Sequence, residues 1–313
     1  MPKYPAYLFA YFAGEDSPDA EQVHFAVSSE DAPLSFTPLA GGKPVLQSTL
    51  GTGGVRDPFL VRNELAAGFH LIGTDLSIHN DGDWERATRY GSRSVVIWDS
   101  PDLVSWSEPR LVEIAPSNAG CAWAPEAFLD RDRGAYVVFW SSPLYGEERT
   151  GASAHLRVLR CFTKDFRSFS DPEVYLDPGH SVIDTTFLER DGVTYRFTKD
   201  ERPQSAGALM GKHIFEEASR DGMLAENFTL VAEGVGSTHL AQGEGPIAVN
   251  SPDGQKSYLI IDEFGGRGYV AFQSEAPGTG AWEPVADARL PEGARHGSLL
   301  PITSAERAML LAV

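Results

Sequence analysis

Five short segments place an ionisable residue beside a proline or a small residue at the start of an apolar run. They are "VRDPFLV" (55–61), "WAPEAFL" (123–129), "VIDTTFL" (182–188), "GEGPIAV" (243–249) and "RHGSLLP" (295–301). Charged residues seldom enter buried strands, and proline is tolerated mainly at a strand's start. One isolated acid in such a place would read as an ion pair, matched here by Arg56 or Arg295, or as a ligand for a cation. Several acids that meet read differently. Converging carboxylates raise one another's pKa, desolvation adds to the effect, and carboxylates with split pKa values are what acid–base hydrolysis requires.

Whether they meet depends on the elements that carry them. Between these segments runs a second repeat: an apolar strand, a Ser or Thr, usually an acid within two positions, then an aromatic. It reads "FAVSSEDAPLSF" (25–36), "VIWDSPDLVSW" (96–106), "RCFTKDFRSFS" (160–170), "EEASRDGMLAENF" (216–228) and "AFQSEAPGTGAW" (271–282). The hydroxyl anchors Ser29, Ser100, Thr163, Ser219 and Ser274 lie 55 to 71 residues apart. Such side chains bond nearby backbone N–H groups and fix a turn. Further strands, "FHLIGTD", "AYVVFWSS", "TYRFTKD" and "SYLIIDEF", follow the first four ionisable segments. Four short strands per unit, repeated five times, predict an all-β, five-bladed β-propeller over residues 1–313 as a single domain. The N-terminal strand has no inner strand of its own, whereas "RHGSLLP" stands at the far end. Strands from both termini are therefore expected to share a blade and close the ring, leaving no free edge.

In a propeller the first strand of each blade lines the central axis. Asp57, the Pro125–Glu126 pair, Asp184, Glu244 and His296 then converge at one end of the channel, with Glu126 one residue out of register. "SIHNDGDWERATRYGSRS" (77–94) reads as a polar insertion at the rim, with a short helix over "DWERATRY" and with Trp84 and Arg93 within reach of a ligand.

These residues resemble glycoside hydrolase family 43 in their order, RDP, WAPE, VIDTT, EGP and RHGS, on a five-fold repeat. "GSRSVVIWDSPDLVSWSEPRLVEIAP" and "GCAWAPEAF" add to the likeness. The resemblance implies a five-bladed propeller that cleaves arabinose-, xylose- or galactose-containing glycans with inversion. It implies Asp57 as the general base on water and Glu244 as the general acid on the leaving oxygen. Asp184 would orient Glu244 and raise its pKa. Inversion would set the two catalytic carboxyls about 6.5–9.5 Å apart. His296 matches an axial histidine beside a water or a structural calcium ion in the channel, with no cofactor required for reaction. Trp123 suits a sugar platform, and Arg56, Glu126 and Arg295 suit substrate hydroxyls or the matching of charge. The activity implied is release of a pentose or furanose from small oligosaccharides, first an α-L-arabinofuranosidase. β-Xylosidase, β-galactofuranosidase and a non-catalytic sugar-binding propeller are the alternatives.

The formal net charge of −18 argues against a nucleic-acid partner or an anionic membrane surface. No run approaches the roughly 18 apolar residues that span a bilayer. "YPAYLFAYFAG" (4–14) has too many aromatics and no cleavage site for a signal peptide, so a strand and a cytoplasmic location are expected. Cys121 and Cys161 have no metal or disulfide spacing and are expected free and buried. His70, His155, His180 and His213 read as structural.

Overall fold

A computed structural model describes residues 3–146, 154–205 and 207–312. The described strands form five four-stranded antiparallel sheets. The chain opens with β1 (Ala6–Phe12), β2 (His24–Ser28) and β3 (Phe36–Pro38). A full sheet follows, β4 (Val55–Arg62), β5 (Phe69–Asp75), β6 (Ser94–Ser100) and β7 (Arg110–Glu113). The next is β8 (Trp123–Asp130), β9 (Ala135–Pro143), β10 (Leu156–Thr163) and β11 (Glu173–Leu176). The fourth is β12 (Val182–Arg190), β13 (Val193–Asp200), β14 (Ile214–Ser219) and β15 (Thr229–Val235). The fifth is β16 (Glu244–Asn250), β17 (Ser257–Glu263), β18 (Gly268–Ser274) and β19 (Glu283–Pro284). Last comes β20 (Arg295–Ile302), which pairs with β1 from Ala6↔Ile302 to Phe12↔Arg295. The sheet β20-β1-β2-β3 therefore joins both ends of the chain, and the ring is closed as the sequence predicts.

The strands β4, β8, β12, β16 and β20 pack against one another around the axis. Apolar clusters fill the spaces between successive blades. Leu8, Phe25 and Leu300 meet Leu71 and Trp98, for example, and Phe9 and Tyr11 meet Ile247 and Ile260. Polar stitches cross the same spaces near the channel. The Ser298 hydroxyl accepts from Leu60 N–H at 2.8 Å and donates to the Pro58 carbonyl at 2.9 Å, fastening β20 to β4.

The turn anchors act as expected in four blades. The Ser100 hydroxyl accepts from the N–H groups of Asp102 and Leu103, and Thr163 from Asp165 and Phe166. Ser219 and Ser274 each accept from the residue two further on. The first blade departs by one residue. There β2 ends at Ser28, whose buried hydroxyl accepts from Tyr7 N–H at 2.9 Å, while the Ser29 N–H bonds the Ser35 carbonyl.

Among the described residues three short α-helices lie between or after the strands. In the rim insertion lie α1 (Ile78–Asp81) and α2 (Trp84–Tyr90); α2 is the expected short helix, capped by the Asp83 carboxylate on Arg86 N–H. The sequence reading did not foresee α3 (Ser304–Leu311). Thr303 and Glu306 form a capping box at its start, and Arg62 grips Glu306 with two nitrogens. Among the described residues no helix is long and apolar enough to cross a membrane. Cys121 and Cys161 are free and buried, and burial pushes both thiols up.

Candidate active site

Each inner strand breaks register with its neighbour at the same place. The breaks fall between Arg56 and Phe59, Trp123 and Glu126, Ile183 and Thr186, and Glu244 and Ile247. In β20 the extra residue is His296, between Arg295 and Gly297. Four of the bulged residues have left-handed backbone: Asp57 (φ 52°), Ala124 (50°), Asp184 (57°) and Gly245 (51°). For an L-residue that conformation costs about 1–2 kcal/mol. A bulge bends the strand and re-aims its side chains, and here it turns them into the mouth of the channel.

This backbone frame corrects the expected alignment. Asp57 and Asp184 are equivalent, as predicted. Glu244 stands one residue before the equivalent position, which Gly245 occupies, because the strand needs its left-handed residue there. A Cβ on Gly245 would lie 2.7 Å from His296 Cγ. Glu126 stands two residues after Ala124, so it points deeper into the channel.

Asp57, Asp184 and His296 form the centre. His296 Nδ1 lies 3.2 Å from Asp57 Oδ1 and 3.7 Å from Asp184 Oδ1. The Thr74 hydroxyl donates to Asp57 Oδ2 at 2.7 Å and accepts from Ala124 N–H at 2.8 Å. Asp184 Oδ2 accepts from Gly245 N–H at 3.0 Å, which fixes the backbone beside Glu244. The Tyr269 hydroxyl bridges the Gly245 carbonyl and Gly297 N–H. Glu244 faces two cations: Lys199 Nζ donates to Oε2 at 2.8 Å and Arg295 to Oε1 at 3.2 Å. Arg295 also donates to the buried Asp262 at 2.6 Å.

The charges follow from these contacts. Burial opposes the charge on His296, but Asp184 and Asp57 outweigh it and push the imidazole up to about 10. Burial likewise opposes the charge on Asp57. The His296 imidazolium, Arg56 and the Thr74 hydroxyl overcome it and hold Asp57 below the usual carboxylate value. Asp184 has no such surplus of cations, and desolvation pushes it up to about 6. Desolvation also opposes ionised Glu244, yet Lys199 and Arg295 prevail and hold it below its ordinary value. The expectation that Asp184 raises Glu244 is thus outweighed in the free pocket by the two cations on Glu244.

A family model described as a probable glycosyl hydrolase domain, of the family 43-related group, matches residues 2–308. The chain belongs to this family. An α-L-arabinofuranosidase of Bifidobacterium longum is 31% identical over 309 residues, covering 88% of this chain. The match spans only 29% of that relative's length. A thermostable family-43 glycoside hydrolase superposes with TM-score 0.56 at 18% identity, covering 81% of this chain and 82% of its own. A Penicillium chrysogenum α-L-arabinanase complexed with arabinobiose also gives 0.56 at 15% identity, covering 93% and 79%. At these identities the two structures bear on the fold, which is the propeller.

In this family 43-related domain one pocket of about 480 Å³ opens over the three carboxylates. Asp57, Asp184, Glu244, Arg56, Trp123, Arg295 and His296 all line it. Glu126 does not. It is buried below, its Oε2 has no hydrogen-bond partner, and desolvation pushes it up to about 8. The bulge two residues earlier carries it past the pocket floor. Arg56 is sandwiched between the rings of Phe12 (4.5 Å) and Trp84 (5.0 Å) and pairs with Glu15 and Glu21. Glu21 also anchors the rim insertion by accepting from Ser77, Ile78 and His79. Trp84 lines the pocket edge-on to Trp123, whereas Arg93 pairs with Glu113 outside it. The four histidines read as structural bond neighbours elsewhere: His70 pairs with Asp99 and His155 with Asp177, for example.

The sequence reading missed Thr74, Lys199, Glu201, Asp262 and Phe264. A signal for three of them was present. Thr74, Lys199 and Asp262 sit directly across from Arg56, Ile183 and Glu244, on the strands "LIGTD", "RFTKD" and "LIIDEF". Each second strand ends in a buried polar pair where an apolar run would otherwise continue.

The resemblance suggested a calcium ion reached from His296 through water; as a site of direct protein ligands the channel is sparse. Calcium takes six to eight oxygen ligands. The described residues hold no group of three or more His, Cys, Asp or Glu arranged for a metal. His296 spends Nδ1 on two carboxylates and, as an imidazolium, itself supplies the positive charge at the centre.

Proposed function

We propose that the domain is an inverting α-L-arabinofuranosidase acting on small oligosaccharides, with Asp57 as general base and Glu244 as general acid. The observation that carries this reading is the meeting of Asp57 and Glu244 in one pocket in unlike settings. Asp57 is kept ionised by His296, ready to take a proton from water as it attacks the anomeric carbon. Glu244 gives its proton to the departing oxygen. After each turnover Asp57 returns its proton to solvent and Glu244 takes one up. No step needs a cofactor.

Asp184 is the carboxyl pushed upward, which would suit an acid. Its side chain is only 6% exposed, however, and one oxygen already accepts from Gly245 N–H. Glu244, at 24%, is the carboxyl a glycosidic oxygen can reach. Asp184 therefore acts as a positioning residue, through Gly245 and His296. The name of the Bifidobacterium relative supports the choice of sugar, and Trp123 with Trp84 provides apolar surface for its face.

A panel of p-nitrophenyl glycosides tests this. The α-L-arabinofuranoside should be hydrolysed at least about tenfold faster than the β-xyloside, β-galactofuranoside or α-arabinopyranoside, a difference of ~1.4 kcal/mol between transition states. Binding without turnover on any of them would instead mean a sugar-binding propeller.

A further inference from the structure

Glu244 must carry a proton before it can give one, yet the free pocket holds it against two cations. Of these, Arg295 has a second anchor in Asp262 on the neighbouring strand. Lys199 is placed differently. It projects from β13 with its side chain 4% exposed, and it touches two carboxylates, Glu244 Oε2 at 2.8 Å and Glu201 Oε2 at 2.7 Å. The contact with Glu244 is a directed hydrogen bond. Glu201 Oε2 is near enough for an ion pair but has no aligned hydrogen bond. The ring of Phe264 lies 4.2 Å from Nζ and forms one side of its berth. Glu201 is held in turn by Lys212, at the outer edge of the pocket.

We infer that Lys199 is a positioning residue that a bound sugar moves from Glu244 to Glu201, and that Glu201 is its docking partner during catalysis. The inference rests on Glu244 being the acid. An ammonium has three N–H donors, so it can turn from one carboxylate to the other without leaving its berth or losing its proton. A glycosidic oxygen that approaches Glu244 Oε2 competes for the same space. Once Lys199 has turned to Glu201, Glu244 takes a proton from solvent water, and that proton later goes to the leaving oxygen. Lys199 itself transfers none. The charged groups around Glu244 are then Arg295 and His296, both cationic, and Asp184 and Asp262, both acids. The gain is selective: the acid is loaded only when something occupies the site, and an empty pocket keeps its carboxylates ionised and paired.

The direct test is a crystal structure of Asp57→Asn with an uncleaved arabinofuranoside bound. Lys199 Nζ should lie beyond hydrogen-bond distance of Glu244 and within it of Glu201. Retention of the Lys199–Glu244 bond in that complex would overturn the inference. Kinetics give a second test. The pH profile of kcat/KM reports the free enzyme and that of kcat reports the complex. The alkaline limb of kcat should therefore stand at higher pH than that of kcat/KM. Glu201→Gln should draw the two limbs together and slow release from an alkyl arabinoside about tenfold, with little effect on a 2,4-dinitrophenyl arabinoside, whose leaving group needs no proton. Lys212→Met, an outer-edge change, should move the kcat limb upward by freeing Glu201. Unmoved limbs in both variants would overturn the inference. Failure of the acid assignment looks different: Glu244→Ala would then lose equal activity on both substrates.

Discussion

The second and third blades present the same signature, a charged or aromatic residue followed by a bulge and a proline, yet they put their acids to unlike uses. In β4 the left-handed position holds Asp57, and in β8 it holds Ala124, with φ of 52° and 50°. The acid of β8, Glu126, comes two residues later and points down the channel. Asp57 meets His296 and stays ionised. Glu126 meets no cation at bonding distance and is pushed up to about 8. The bulge thus shapes where a side chain can reach the pocket: in β4 the residue on it is an acid, and in β8 it is an alanine.

The largest effect should come from removing the acid at the bulge. Asp57→Ala should lower hydrolysis of every substrate by at least about 10²–10⁴-fold, the usual worth of a general base, activated leaving groups included. Steady-state rates on a nitrophenyl and an alkyl arabinoside check this. A variant that still cleaved the nitrophenyl substrate at a tenth of the parent rate would remove the distinction between the two blades.

A smaller effect is expected where the bulge itself is crowded. Gly245→Ala places a methyl 2.7 Å from His296 Cγ on a residue with φ of 51°, so both strain and overlap arise. Destabilisation of about 1–3 kcal/mol should appear in denaturant unfolding. Activity should fall with it, because His296 and Glu244 must shift. An unchanged midpoint together with unchanged kcat would show that the left-handed residue is not needed there.

The smallest effect concerns the acid that misses the pocket, and it is read through pH. Glu126 ionises near 4.5 when unfolded and at about 8 when folded. A folded pKa above the unfolded one costs stability as pH rises from the lower value to the higher, because the unfolded chain releases its proton first. Glu126→Gln should therefore melt close to the parent at pH 4 and above it by a few degrees at pH 8, with kcat nearly unchanged. Parallel melting curves across that range would mean that Glu126 is not held neutral.

Much of this was legible in the sequence because the repeat is carried by residue types with few structural uses. Hydroxyl-anchored turns count the blades, and the isolated segment "RHGSLLP" shows how the ring closes. The motifs also bring Asp57, Asp184, Glu244 and His296 together. Register was harder to read. A bulge adds a residue that no composition reveals, so Glu244 seemed equivalent to Asp57, and Glu126 one residue out of register where it lies two beyond. Lys199 and Thr74 were overlooked for a related reason. They lie on second strands, where a polar residue at a strand's end looks solvated until the pairing partner is known. The shift from Ser29 to Ser28 and the late helix α3 are local matters of where one strand ends and where Thr303 caps.

The measurement that bears most directly on the account is the configuration of the first product. Asp57 as base and Glu244 as acid require water to attack opposite the leaving group in a single displacement. Proton NMR, recorded within the first turnovers on a p-nitrophenyl α-L-arabinofuranoside and before mutarotation, should show β-arabinofuranose. Appearance of the α-anomer first would mean that a covalent glycosyl-enzyme forms and that Asp57 does not act as a base on water.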